Sequence, residues 1–410
     1  MKFWLFYAFL LGTFVNIGIT LGGFIPGSLL LASSAAPLLL SKHKFNQRVF
    51  IFLSSCCILW CLGILIGDVY NKVGYMNLLK GIAKPISVFV YGISFAMLIT
   101  KVDNWVSYWT LGLLTGSLIN AIFPNQVTQD LISQGDYEFR LYIYQPIIFG
   151  GLLFAISKFP KRHLLHLIII ISSIFLIGFF APSRASLGIL SLTAFFIILI
   201  GLYRKKNIKI SKAKLIITFA AIFIAGYATY GAYIYSAPRG YLGEQQRRKF
   251  EDQTNTALGI SPIGILAAGR TSTFGAVLAI KDNPIIGYGS WARMRTHDYY
   301  IDAMSYVAID SNDLKVHAMP GVGHSVFLET WVESGVLGAV FCILVIVLVI
   351  KIIIKCCEKQ YLHWPIWLYL CINYCWTWLF SPTTPKSLMF SAVFIVLAKM
   401  SKYQRTVLKE

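Results

Sequence analysis

Charge is scarce in this 410-residue chain. Asp, Glu, Lys and Arg together make up 13% of it against 57% hydrophobic residues, and the mean hydropathy is +0.68. So little charge excludes an ordinary soluble globule and points to a polytopic membrane protein. Acid is the scarcer sign, with 17 Asp and Glu against 36 Lys and Arg, a net charge of +19. Most of the basic residues lie in short segments between apolar runs, where they act as orientation signals, so the excess is not read as a nucleic-acid footprint. Cysteine is missing from the one long polar segment. All eight Cys lie in or beside apolar runs, which leaves no disulfide framework and no cysteine metal site and makes them packing residues. There is no repeat or low-complexity stretch, and the runs are too unlike one another to form inverted halves. No cleavable leader is evident, because the first apolar run passes straight into others.

What is present is a succession of about twelve apolar runs of spanning length. They cover 2–19, 23–40, 50–67, 85–100, 105–123, 141–156, 164–180, 187–202, 215–235, 324–354 and 362–380, with a last one ending at Lys399. If the N-terminus is inside, the segments 42–48, 101–104, 158–163, 203–214, 355–360 and the C-terminal tail are inside too. These carry most of the Lys and Arg, as the positive-inside rule requires. The long segment Ser236 to Gly323 is then external, as are the corners at Arg184 and Pro382. The chain divides into membrane helices over 1–235, an external cap over 236–323, and further membrane helices with a basic tail over 324–410. In a bacterium this is the inner membrane, with the cap in the periplasm.

The external segment has its own pattern. Arg247, Arg248 and Lys249 fall in a polar, charged stretch. Ser261-Pro262 reads as a helix start. Arg270 opens an amphipathic helix that Asp282-Asn283-Pro284 closes as a turn. Gly287 and Gly289 would let the backbone of 285–291 lie close against the membrane helices. Apolar clusters of this kind predict a folded cap rather than a disordered string. Asp310 and Asp313 flank Ser311-Asn312 and read as a solvated turn, not a metal site.

The pattern also predicts an unbroken helix from His324 to about Ile354. About thirty helical residues are roughly 45 Å long against roughly 30 Å of hydrocarbon, so the first turns should stand above the membrane or lie obliquely on it. His324, Leu328, Trp331 and Gly335 share one face of that helix, while Glu329 and Glu333 fall away from it. A helix N-terminus favours a neutral imidazole, which can accept a proton near pH 7. Arg184 sits in a short external corner that the positive-inside bias disfavours. It is read either as a phosphate ligand, for which its planar fork is suited, or as an interfacial arginine reaching headgroups.

His324-Ser325-x-x-Leu328 with Glu333-x-Gly335-x-x-Gly338 resembles the signature that closes the external loop of bacterial O-antigen ligases and related polysaccharide polymerases. The family's His is often followed by Asn, where this chain has Ser325. Arg270 with Asn283-Pro284-Ile285-Ile286-Gly287-Tyr288-Gly289, and the Ser183-Arg184-Ala185 corner, are similar to two further family segments in the same order. The resemblance implies an all-α, GT-C-like polytopic membrane fold with one large, mostly helical periplasmic loop. It implies a metal- and cofactor-independent glycosyltransferase whose donor is an undecaprenyl-diphosphate-linked oligosaccharide. His324 would be the general base, Arg184 and Arg270 would hold the diphosphate, and Ser325, Trp291, Arg247 and Arg248 would complete the substrate-binding set. The acceptor is a glycan for a polymerase or lipid A–core for a ligase. Membrane lipids and a chain-length regulator are the other partners implied. A transporter or flippase is the reading from another class. It would need ionisable residues and broken helices within the spans, and the spans are nearly free of charge.

Overall fold

The computed structural model describes residues 2–17, 20–21, 25–26, 32, 47–102, 104–124, 143–159, 162–180, 184–205, 227, 230–241, 243–254, 260–261, 271–292, 295–307, 325–357, 363–381 and 384–400. The described chain is helical. In order, α1 is Lys2–Ile17, α2 Gln47–Tyr70, α3 Tyr75–Lys101, α4 Trp105–Ile122, α5 Gln145–Lys158, α6 His163–Phe180 and α7 Arg184–Lys205. Then follow α8 Glu244–Thr254, α9 Thr271–Asp282, α10 His297–Val307, α11 Val326–Cys357, α12 Trp364–Phe380 and α13 Pro385–Met400. Among the described residues, Gln47–Tyr70, Tyr75–Thr100 and Val326–Cys356 are long and apolar enough to cross a membrane. Shorter apolar helical stretches occupy Lys2–Val15, Gln145–Lys158, Leu165–Ile177 and Ala185–Ile200. Helices suit such runs because each backbone N–H and C=O is paired within its own segment.

Three boundaries differ from the sequence expectation. Thr20–Leu21 and Ile25–Pro26 form a short antiparallel pair, Thr20 opposite Pro26 and Leu21 opposite Ile25, so no helix begins at Gly23. The rest of that run, and most of 215–235, lies outside the described residues. The helix expected from Pro85 begins at Tyr75 and carries Pro85 inside it. Asn77, Lys80 and Lys84 hid its first turns from a reading of apolar runs. The long helix α11 is not continuous: Gly335, at φ 59° and ψ −154°, breaks it.

The bundle has two distinct ends. At one, Val49 of α2, Ala96 of α3 and Val396 of α13 pack together. The ammonium of Lys399 lies 3.5 Å from the centre of the Phe52 ring, and Lys355 reaches the Ala398 carbonyl at 3.5 Å. At the other end lie the end of α2, the start of α3 and the start of α11, with the segment 285–291 packed on them. Between the ends, Trp109 stacks on Trp367 at 6.4 Å and meets the edge of Phe95 at 5.6 Å. Helices α1 and α4 cross in near contact at Gly12 and Gly112. A Cβ there would stand 2.2 Å from the Trp109 carbonyl oxygen or 2.0 Å from that of Phe9.

The break in α11 admits only glycine, because its backbone conformation is closed to residues with a Cβ. A Cβ at Gly335 would also lie 1.9 Å from the Ile285 carbonyl oxygen. Gly335→Ala is therefore expected to lower the thermal unfolding midpoint of detergent-solubilised protein sharply, or to abolish its monodisperse peak. Gly151→Ala, where nothing lies within 4 Å, is the neutral comparison. Equal behaviour of the two variants would show that the break is dispensable.

Candidate functional site

The break in α11 is filled by the segment that follows α9. Breaking a helix frees carbonyls and N–H groups that must find other partners when buried. Here Tyr288 N–H donates to the Val332 carbonyl at 2.7 Å and Gly289 N–H to that of Glu333 at 2.9 Å. Val336 N–H donates to the Ile285 carbonyl at 3.0 Å. Gly287 and Gly289 take φ values of 77° and 76°, and a Cβ on Gly287 would meet Gly335 N at 2.6 Å. The Gly287 carbonyl accepts from the side-chain amides of Asn283 at 2.8 Å and Asn71 at 3.0 Å. Trp331 Nε1 donates to the Pro284 carbonyl at 2.8 Å. The close approach expected of the two glycines is thus directed at the broken helix.

Charges gather around the same joint. Lys84 pairs with Glu329 at 3.2 Å and with Glu333 at 2.5 Å, and Glu333 Oε1 also accepts from Trp291 N–H at 3.3 Å. Asp68, buried at the end of α2, accepts from the backbone N–H of Ser290 and, at 2.7 Å, from its hydroxyl. Arg295 donates to the Tyr288 carbonyl at 2.7 Å and the Ser290 carbonyl at 2.6 Å. The spans are therefore not as free of charge as the apolar runs suggest. Helices α2 and α3 extend past those runs and carry Asp68 and Lys84 into the packing. These charges bond to each other and to the docked segment, so this is a joint rather than an open binding site.

Further out, the phenols of Tyr288 and Tyr299 both reach Asp282 Oδ2, that of Tyr288 at 2.9 Å. Hydrogen bonds from Tyr299 and Tyr288 hold the Asp282 carboxyl below its ordinary range. Desolvation, followed by the bonds to Tyr299 and Asp282, pushes the Tyr288 phenol up. This clasp joins the end of α9 to α10.

A cleft of about 420 Å³ opens at the same end of the bundle, between α5, α7, α12 and α13. Gln145, Ser186, Thr377, Ser381, Thr384 and Ser387 line it near the helix ends, with Asn373 a little deeper. Leu113, Phe149, Leu153, Ile189, Leu370 and Phe390 form its apolar depth. Gln145 donates to Ser186 across it. Lys386, in the first turn of α13, also lines it, and none of the lining residues is Asp or Glu. Sequence reasoning missed Lys386. The argument that singled out Arg184, a basic residue in a short corner on the side where basic residues are depleted, applies equally to it.

Of the expected site residues, Arg184 opens α7, and its neighbours Ala185 and Ser186 line the cleft; its own side chain is outside the described residues. Arg270 and His324 lie outside the described residues, as do Asp310 and Asp313. Ser325, which follows His324, is 1% exposed. Its hydroxyl donates to the Trp378 carbonyl at 2.9 Å and accepts from Leu328 N–H at 3.2 Å, so it caps α11 and ties it to α12. Phe327 stacks on Trp378 at 4.5 Å. Trp291 is 42% exposed and has φ 58°, with Lys80 Nζ 5.0 Å from the centre of its ring. Arg247 and Arg248 pair along α8 with Glu244 and Glu251 at 2.9–3.5 Å, on an exposed face.

Comparison with family models, with curated proteins and with solved structures finds no match to this chain.

Two tests follow from the joint and the clasp. Lys84→Met leaves two buried carboxylates without their cation, and breaking a buried pair costs about 3–5 kcal/mol. Adding Glu333→Gln should recover part of the lost thermal stability; additive losses would mean that the pair is not coupled. For Asp282, the lowered pKa means that the clasp contributes stability above the ordinary carboxylate range. That contribution is lost as pH falls through the lowered value. Amide protection of α9 and α10 should exceed that of Asp282→Asn at neutral pH and converge with it in acid; a constant difference would remove the carboxylate from the clasp.

Proposed function

We propose that the chain is a polytopic membrane glycosyltransferase. It transfers a glycan from undecaprenyl diphosphate to a sugar hydroxyl at the periplasmic face of a bacterial inner membrane, as a surface-polysaccharide polymerase. The observation that carries this reading is the cleft. The starts of α5, α7 and α13 and the end of α12 meet there, and all four are helix ends that the distribution of basic residues assigns to the outer side. The cleft is polar near the helix ends and apolar in its depth, as a lipid diphosphate requires. Arg184 stands next in the chain to its lining, and Ser325, beside His324, is bonded to the end of α12 that lines it.

In this scheme the acceptor hydroxyl gives its proton to His324 as its oxygen bonds to the anomeric carbon. The bond from that carbon to the diphosphate oxygen breaks, and its electron pair leaves on undecaprenyl diphosphate. Arg184 and Arg270 neutralise the charge that develops on the leaving group. Preorganised donors of this kind contribute several kcal/mol when the site excludes water. Arg270 and His324 directly precede α9 and, with Ser325 between, α11, the two helices that the joint links through the segment after α9. A ligase uses the same chemistry with lipid A–core as the acceptor.

Transport is the second reading, favoured by the broken α11, the half-buried Lys84 and the buried Glu329 and Glu333. Against it, the groups freed at the break are bonded by 285–289, and the charges pair with one another.

The deciding experiment supplies purified protein with a lipid-linked oligosaccharide and follows release of undecaprenyl diphosphate. His324→Ala is expected to lose transfer by at least a hundredfold while remaining folded. Arg184→Lys, which keeps charge but loses the fork, should fall more than tenfold. No release from the wild type, with glycolipid crossing proteoliposomes instead, would favour transport. Full activity of His324→Ala would remove the imidazole from the chemistry.

A further inference from the structure

Lys386 is a half-buried lysine in a cleft with no acid among its described lining residues. An ammonium partly withdrawn from water is stabilised by a paired anion or a set of strong acceptors. Lys386 lines the cleft, and no described acid forms an ion pair with it. Its neighbours in the first turn are occupied with each other. Ser387 N–H donates to Thr384 Oγ1 at 3.2 Å, and Thr384 N–H donates to Ser387 Oγ at 2.8 Å, a reciprocal cap that holds the start of α13 in place. Pro385 opens α13, where its fixed φ suits a first helical turn. Lys386 is therefore presented on a braced turn and lines a cavity whose other described polar lining residues are neutral.

The rest of the cavity indicates the shape of the missing anion. Leu113, Phe149, Leu153, Ile189 and Phe390 surround an apolar depth, while the amides and hydroxyls lie nearer the helix ends. A small free anion would leave the apolar part unused, and a neutral lipid would leave the ammonium unpaired. A molecule with a phosphorylated head and a hydrocarbon tail satisfies both. We propose that Lys386 is a head-group ligand for the phosphorylated polyisoprenoid, a cation additional to the two arginines of the proposed scheme and contributed by the first turn of α13. This deepens the proposed function and rests on it for the identity of the lipid. Lysine is suited to the task as a point charge that follows a phosphate through a change of geometry, whereas arginine fixes it bidentately. Its role is to bind and position the carrier.

The test measures binding without transfer. Undecaprenyl diphosphate is titrated into purified full-length protein in detergent, and occupancy is read by native mass spectrometry. Undecaprenol, inorganic diphosphate and phosphatidylglycerol are run in parallel. Wild type is expected to bind the polyprenyl diphosphate at least tenfold more tightly than any of the three. Lys386→Met should lose at least tenfold, and Lys386→Arg should retain most of the affinity. All variants are first checked for an unchanged elution profile and thermal midpoint, and Ser387→Ala serves as a second variant that perturbs the turn but keeps the charge. Unchanged binding by Lys386→Met, or equal losses in Ser387→Ala and Lys386→Met, would overturn the assignment. Equal binding of undecaprenol would show that no anion is read. Equal binding of phosphatidylglycerol or of inorganic diphosphate would assign the site to bulk lipid or to a free anion instead. Carrier binding that depends on Lys386 in a wild type that transfers no glycan would keep the site and reject the transferase reading. Glycan transfer that requires His324 but is indifferent to Lys386 would do the reverse.

Discussion

A helix interrupted inside a packed bundle must find partners for the backbone groups it releases, and the described structure depends on how that need is met at Gly335. The conformation there exposes the carbonyls of Val332 and Glu333 and the N–H of Val336. All three are taken by Ile285, Tyr288 and Gly289, so that the segment after α9 completes the helix. Each such bond contributes only about 0.5–1.5 kcal/mol, but leaving a buried group unpaired costs more. The pairing is therefore obligatory, and it fixes both the position and the direction of the segment between α9 and α10.

The charged groups make sense in that frame. Asp68 receives Ser290, Glu333 receives Trp291, and Lys84 balances Glu333 and Glu329. Lys84, on the neighbouring helix, sets a positive charge beside the two carboxyls and offsets part of the cost of burying them. The joint is thus self-contained. The cleft differs from it in this respect: its cation has no acid among the lining residues, and its polar groups surround open volume. The contrast between the two clusters separates the joint, whose charges are paired within the fold, from the cleft, whose described lining leaves Lys386 without an acid.

Much of the helical layout was legible in the sequence because long apolar runs have few alternatives to helix. The turn at Asp282-Asn283-Pro284 and the close approach of Gly287 and Gly289 were legible for a similar reason, since proline and glycine restrict or extend backbone geometry locally. The errors arose where local pattern and tertiary need diverge. Pro85 and the polar residues before it concealed the start of α3. The apolar face running through Gly335 concealed the break, because a glycine in a helical pattern carries no mark of whether a neighbour will press against it. Ser325 illustrates a finer case: its place at the head of α11 was evident, whereas its bond to the Trp378 carbonyl joins residues far apart in the chain.

The amino-acid order alone determined that the chain is apolar and helical, where most of its helices begin and end, and which side its basic residues favour. These are properties of single segments and their immediate flanks. Only the tertiary structure decided that α11 breaks, that Lys84 meets Glu329 and Glu333, and that Lys386 lines a cavity with no acid among its described lining residues. Each of these depends on the distance between residues on different helices, and that distance follows from how whole side-chain surfaces fit together.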